Sequence, residues 1–426
     1  MGAIILLAVV SSCFLALYRW WYDPYHRMPD GARRLPGPWS KHTNPLSSIY
    51  TRAYRSTGMP LIGRLHDIPS EKTWLHFYKW ATEFGPIYKH ELFGTTHVWI
   101  SSERVAKDLL SKQSSVFSDR PLITNLPINK TGGEYLPLLG ENGRLLDSMY
   151  TEQDLMTLEL WARQRKFGQH LMTTSARLSQ HHYPVIETKR LLYKLLFWPE
   201  SYRDLLEEHS SRNISRLAWG SPDEAAKLRK VTMALLRVIS PAGALPNIIS
   251  PLAYLPTFIS PWKRHEKKRY QEERSFFLSQ QTKVRKDWLQ GKAKPCYTQM
   301  FFDSQEKSKV SDLEGAYQVG MMAIAGALTI ASPLMSFILA MVLNPEWLAK
   351  LQDEIDIVCG ERMPEMKDME NLPTLRSVVK EVIRWRPPVP TGIPHASTKD
   401  HIYNGYFIPA GSTIHAMEWQ VVTPDI

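Results

Sequence analysis

Cysteine is scarce in this chain, and what there is cannot frame a scaffold: Cys13, Cys296 and Cys359 are the three in 426 residues. They form no Cys-x-x-Cys pair and no ligand cluster, which excludes a disulfide framework and a zinc site. A reducing compartment follows for the bulk of the chain. No zinc-finger spacing occurs, and no basic run is interleaved with aromatics, so the positive charge does not read as a nucleic-acid interface. Internal repeats are absent. The balance of 43% hydrophobic and 22% charged residues excludes a disordered chain. The length fits one large domain or two ordinary ones. The formal charge of +10 and a pI near 9.3 suit an acidic partner or an anionic membrane face.

Long apolar runs are few, and one stands at the amino terminus. GAIILLAVVSSCFLALY (2–18) has about the minimum length of a membrane span and no basic stretch before it, which argues against a cleaved signal. Arg19, Arg27, Arg33 and Arg34 follow, with Trp20, Trp21 and Tyr22 at the expected interface. A buried core helix is the alternative. Terminal position, aromatic belt and basic flank favour an anchor over 1–22, with the main body in the cytosol. The sequons Asn129-Lys-Thr and Asn213-Ile-Ser would then stay unmodified. Residues 23–59 read as a linker containing the stiff ARRLPGP (32–38), and the main domain as 60–426.

Within that domain WLHFYKWATEF (74–84) has helical aromatic spacing, and YKHELFGTTHVWIS (88–101) alternates around a turn as a hairpin does. SERVAKDLLSKQ (102–113) opens with Ser at an N-cap. From about 175 onward helical periodicity dominates, including the charged run KRHEKKRYQEERSFF (263–277). ISPLAYLPTFISPW (249–262) reads equally as a buried loop or as a surface dipping into a bilayer. HIYNGYFIPAGSTIHAMEW (401–419) adds a short hairpin. The predicted fold is mainly α with a small β portion.

Two local anomalies carry the chemistry. SDLEGAYQVGMMAIAGALTIASPLMSFILAMVLN (311–344) suits a buried helix capped at Ser311 and kinked at Pro333, yet it holds Gly326 and Thr329 on one face. Gly costs about 1 kcal/mol against Ala in a helix interior. Gly at a close helix crossing and Thr bonded back one turn would explain both; a functional notch would too. In LRSVVKEVIRWRPPVPTGIPHAS (375–397), Glu381 and Arg384 sit three apart among Val378, Val379, Val382 and Ile383, which predicts at least partial burial.

Together AIAGALT (323–329), KEVIRWRPPVPTGIPH (380–395) and GYFIPAGSTI (405–414) resemble the cytochromes P-450, the haem-thiolate monooxygenases. PLIGRLHDIP (60–69), FSDRP (117–121), WARQR (161–165) and the LPGP hinge support the resemblance, whose flavour is that of fungal enzymes tailoring secondary metabolites. The resemblance implies a cytochrome P-450 fold with an N-terminal membrane anchor, single-pass in the endoplasmic reticulum membrane. It implies a heme cofactor, electrons from NADPH through NADPH-cytochrome P-450 reductase docked on a basic face, and an apolar small-molecule substrate. Ala325 and Gly326 would widen the helix over the haem to admit dioxygen, and Thr329 would hold a water and help deliver protons. Leu328 stands where the family usually has an acid, which leaves water to serve. Trp161, Arg165 and His395 would meet haem propionates, and Glu381 and Arg384 would be two members of a structural triad. The apolar 249–262 segment would fall near the substrate entrance.

The family's Phe-x-x-Gly-x-x-x-Cys-x-Gly loop, which supplies the axial thiolate, has no counterpart here, nor does the triad's third Arg. Both are expected beyond Ile426, so no metal ligand is assigned and the fold is expected to be C-terminally incomplete. The segments 39–59 and 141–160 and the terminal VVTPDI depart from the family pattern, as unremoved introns or a faulty gene model would produce. Their presence in the sequenced spliced message would overturn that reading. The expected function is thus a cytochrome P-450 monooxygenase, or its truncated form, oxidising an apolar metabolite. The alternative is a haem-free, inactive membrane-anchored remnant.

Overall fold

The computed structural model describes residues 24–38, 67–69, 71–92, 94–121, 152–177, 182–239 and 255–421, with single positions in the connecting loops. The expected anchor 1–22 and the segment 39–59 lie outside the described residues, as do 141–151 and 422–426. In chain order the main elements are β1 (Arg33–Arg34), α1 (Thr73–Phe84), β2 (Ile87–Leu92), β3 (Thr95–Ile100), α2 (Glu152–Arg177), α3 (His182–Phe197), α4 (Tyr202–Trp219) and α5 (Ala225–Ile239). There follow α6 (Pro261–Leu289), α7 (Tyr297–Ser308), α8 (Asp312–Thr329), α9 (Ala331–Leu343), α10 (Pro345–Cys359) and α11 (Pro373–Trp385). The last are β4 (His395–Ala396), β5 (His401–Tyr403), β6 (Tyr406–Ile408) and β7 (Thr413–Ala416). The chain is mainly helical with small sheets, and it divides into two compact units, 1–121 with 391–426 and 122–390.

The first unit is built on two sheets, ordered β2-β3-β7-β4 and β1-β6-β5. The β2–β3 hairpin is antiparallel, with Ile87 opposite Ile100, and β7 joins β3 in parallel. Asn404 and Gly405, with φ of 49° and 79°, make the two-residue turn between β5 and β6, the geometry that the right-handed twist of a hairpin favours. Branched and aromatic side chains face inward: Leu35, Ile87, Val98, Ile100, Leu109, Phe117, Ile408 and Ile414 form one cluster. α1 lays Phe77 and Trp80 against Tyr88 and Trp99 in another.

One expectation needs correction here. The ARRLPGP stretch, read as part of a linker, is folded into the sheet unit: Arg33 and Arg34 pair with Tyr406 and Phe407, and Leu35 is fully buried. The Lys89 amide donates to the Pro36 carbonyl at 2.8 Å. A Cβ on Gly37 would stand 1.9 Å from the Lys89 carbonyl oxygen, so only glycine lets the two backbones approach. The prolines stiffen a docked strand rather than a spacer.

The second unit packs around α8, whose side chains are apolar on nearly every face, as suits a helix enclosed by others. Ala316, Tyr317, Val319, Ala323 and Ile324 are buried with Phe276, Phe277 and Phe301. Gly315 and Gly320 admit the rings of Phe301 and Phe277, which would lie 2.4 Å and 2.6 Å from an added Cβ. The N-terminus carries the expected cap: the Ser311 amide donates to Glu314 Oε2 at 2.7 Å and the Glu314 amide to Ser311 Oγ at 3.3 Å. The run 312–343 is the one described helix long and apolar enough to cross a membrane, by length and composition only. It is interrupted at Ile330, because Pro333 has no amide hydrogen to give the Thr329 carbonyl one turn back. The segment 141–160, expected as an intrusion, supplies helix from Glu152 onward.

Candidate functional site

The face of α8 that the sequence singled out is open. Ala325 and Leu328 are exposed and Thr329 is half-buried. The Thr329 hydroxyl donates to the Ala325 carbonyl at 2.9 Å, which satisfies its proton within the helix and leaves its lone pairs to accept. Gly326 turns the other way, toward α4: an added Cβ would stand 2.8 Å from both Cδ1 and Cγ1 of Ile214. Close crossing therefore accounts for the glycine and back-bonding for the threonine, and together they leave a thin, polar-edged strip bordered by Ala325 and Leu328. Gly326→Ala should lower stability by a net of about 1 kcal/mol, since overpacking costs about 1–3 kcal/mol and helix propensity returns about 1. Urea denaturation would register a lower midpoint at unchanged slope; an unchanged or higher midpoint would mean that Ile214 moves aside freely.

Glu381 and Arg384 form the expected pair, bidentate at 2.7 and 2.6 Å on α11. Arg384 holds the Glu381 carboxyl below its usual range, and Glu381 raises the guanidinium in return. The predicted partial burial fails for Glu381, whose side chain is 58% exposed, while Arg384 at 40% is half-buried. Of the apolar neighbours that prompted the expectation Val382 is buried and Val378 half-buried, while Val379 and Ile383 face out at 48% and 46%. An exposed pair of this kind contributes about 0.2–1 kcal/mol.

Trp161 and Arg165 lie one turn apart on α2, where the Trp161 side chain lies outside the described residues and Arg165 is exposed. Their neighbour Arg163 instead turns to the α8 cap, donating to Glu314 at 2.9 Å. His395 belongs to the sheet unit. Its Nδ1 donates to the Phe117 carbonyl at 2.9 Å, which fixes the tautomer and leaves Nε2 as the accepting nitrogen of the neutral ring. Arg120, quoted within FSDRP but given no role, sits beside it: its guanidinium donates to the carbonyls of Pro394 at 2.8 Å and Ile393 at 3.2 Å. The Ala396 amide donates to the Asp119 carbonyl at 2.7 Å. FSDRP and β4 thus hold each other, and His395 and Arg120 share one backbone neighbourhood. An Arg directly before Pro121 was the available signal.

Neither described cysteine presents a thiolate. Cys296 is the fully buried N-cap of α7; its sulfur accepts from the Gln299 amide at 3.4 Å, and burial pushes the thiol up to about 11. Cys359, at the end of α10, is buried beside Asp368 and raised by that burial and by the carboxylate. Cysteines in such surroundings are inert packing groups. Among the described residues no cluster of three His, Cys, Asp or Glu is placed to hold a metal ion. Among the described residues, neither cysteine is therefore placed to act as an axial sulfur ligand.

A family model described as Cytochrome P450 matches residues 203–424. The chain is similar to cytochrome P450 monooxygenase fogE of Aspergillus ruber, 30% identical over 370 residues that make up 85% of this chain and 66% of the relative. It is also similar to virE of Hypocrea virens, 30% identical over 85% of this chain and 64% of the relative. A third relative, cytochrome P450 monooxygenase 58 of Postia placenta, is 31% identical over 85% and 67%. The chain spans about two thirds of the length of these curated relatives.

Proposed function

Because the chain belongs to the cytochrome P450 family, we propose that it forms the body of a haem monooxygenase that places one oxygen atom from dioxygen into an apolar small molecule of fungal secondary metabolism. The observation that carries this is the open strip of α8, where apolar Ala325 and Leu328 border a threonine whose oxygen is left to accept. Haem chemistry in this family activates dioxygen with electrons from a reductase; the protein's part is to bind, orient and control water. Ala325 keeps the wall thin at the reacting centre, while Gly326 behind it lets α8 cross α4 closely. With its own proton given to Ala325, Thr329 Oγ1 holds a water as acceptor, and that water rather than a side-chain acid moves protons, since position 328 is leucine. On α2, Trp161 and Arg165 supply donors for a cofactor carboxylate. Glu381 and Arg384 are structural.

A second reading is favoured by one observation, the burial of Cys296 and Cys359 within packed surroundings. On this reading the chain is a haem-free, membrane-anchored remnant without catalysis. An absorption spectrum of the full chain in membranes, reduced and exposed to carbon monoxide, separates the two. A thiolate-type Soret shift supports the monooxygenase, and the absence of any haem signal supports the remnant.

Membrane attachment through residues 1–22, with the body facing the cytosol and an acidic reductase docking on a basic face, belongs to the same proposal. A second membrane contact is supported by the tip before α6. Phe258 is 78% and Ile259 49% exposed, and the exposed Arg264, His265, Lys267 and Lys268 follow at once. Apolar side chains rimmed by cations suit an anionic bilayer surface. An environment-sensitive dye on Phe258→Cys should shift to the blue on adding phosphatidylserine vesicles; emission that stays at its aqueous position ends this part of the reading.

A further inference from the structure

The four-stranded sheet carries a run of rings on the face toward α1. His90 on β2 is the cross-strand partner of His97 on β3, and Trp99 on β3 is the partner of His415 on β7. Trp99 stacks on His415 at 4.1 Å and on Phe77 of α1 at 3.9 Å. The rings of His90 and His97 are parallel to within 5° at 5.2 Å. Phe77 and Trp80 of α1 also meet His90, at 5.8 and 5.4 Å. α1 thus rests in part on the imidazole of His90, and through Trp99 on the ring that His415 stacks against.

Two hydrogen bonds hold the run in register, and each needs an unprotonated nitrogen. Trp99 Nε1 can only donate, so His90 Nδ1, at 3.0 Å, must accept. His97 Nδ1 and His415 Nε2 lie 3.0 Å apart, one donating and the other accepting. A proton added at either acceptor turns the bond into two N–H groups facing each other. We infer that this stack is a proton-sensitive latch, which clamps α1 to the sheet while the imidazoles are neutral and releases it when acid adds a proton to either acceptor nitrogen.

Around His90 the surroundings offer an added charge little relief, whereas His97 and His415 are partly buried. His90 is wholly enclosed, and burial first, then the neighbouring imidazoles of His97, His415 and His76, pushes its proton affinity well down. Burial lowers His97 to about 4 and, with the His97 charge adding to it, lowers His415 well below the ordinary range. From α1, His76 is lowered by burial, with Asp67 favouring and Lys79 opposing its charge. Lys89 and Glu91 alternate to the opposite face of β2, where Lys89 bonds Glu91 at 2.9 Å and lies 3.9 Å from the Tyr25 ring centroid. After β7, Glu418 is raised by burial and so is biased toward its neutral form.

The direction follows from linkage. An opened stack binds protons with the ordinary imidazole value near 6.5, and the closed stack binds them only near 4 or below. The clamp is therefore complete above about pH 6.5 and weakens as pH falls toward 4. Hydrogen exchange of the full chain, followed by mass spectrometry on peptides covering residues 73–84, reads this directly. After correction for intrinsic exchange, α1 protection should fall at least about tenfold between pH 7 and pH 4.5. In His415→Phe, which keeps a ring but removes the nitrogen facing His97, that fall should shrink several-fold. Should His415→Phe not fold at pH 7, His415→Gln, which can still bond His97 without titrating, is measured instead with the same expectation. No fall in the unaltered chain, or an equal fall in the variant that folds, overturns the latch.

Discussion

Glu187→Gln is expected to destabilise the chain by about 3–5 kcal/mol, the cost of removing one partner from a buried ion pair. The Glu187 side chain is 1% exposed and bridges α3 to α4, accepting from Arg212 Nε at 2.5 Å and Arg216 Nε at 2.6 Å. Each guanidinium is itself only 18% exposed. Neutralising the carboxylate leaves two cations facing each other with most of their solvation already lost. Burial alone would push the Glu187 carboxyl up, but the two arginines outweigh it and hold it below the usual carboxylate range. A depressed carboxyl contributes stability that is present above its unfolded value of about 4.3 and is lost as pH falls through the folded one. Urea titrations at pH 7 and at pH 3 should therefore differ less in Glu187→Gln than in the unaltered chain. A variant within about 1 kcal/mol of the parent at pH 7 would mean that water reaches the two arginines.

Glu187 also shows where sequence reasoning stops. In ETKRLLYKLL it reads as one polar residue on an amphipathic helix, and its partners are 25 and 29 positions away with nothing local to announce them. The ring stack is hidden in the same way, since His97 and His415 are 318 residues apart and meet only through the parallel pairing of β3 with β7. What was legible was short-range chemistry. Ser311 with Glu314 three residues on marked a capping box, the β-type residues and Gly/Pro turn of 401–419 marked a short hairpin, and the missing amide of Pro333 marked a break in the long helix. Gly326 could be read from sequence in two ways, and only the position of Ile214 shows a crossing that requires it. The exposure of Glu381 is not legible in the sequence because apolar neighbours on one helix predict burial only if other elements cover them, and α11 turns Val379 and Ile383 outward.

The charged run in α6 gives the second large effect and a sharper test of what its charges do. KRHEKKRYQEER is densely charged, yet Glu266, Arg269 and Glu273 lie at i, i+3 and i+7 with side chains only 8%, 5% and 1% exposed. Arg269 bridges the two carboxylates, at 2.8 Å to Glu266 and 2.6 Å to Glu273. Arg269→Met keeps the stem's packing but leaves two carboxylates buried on one face without their cation, and should cost about 3–5 kcal/mol. Replacing all three residues, as Glu266→Met, Arg269→Leu and Glu273→Met, removes the charges together with their desolvation. That triple change should fall within about 1 kcal/mol of the parent or exceed it in stability. Urea midpoints of the parent, the single variant and the triple variant decide the matter. If the triple variant is as unstable as Arg269→Met, the triad contributes net stability in place and the helix depends on its buried charges. If the single variant is as stable as the parent, the carboxylates reach solvent and the apparent burial of this face is not maintained in solution.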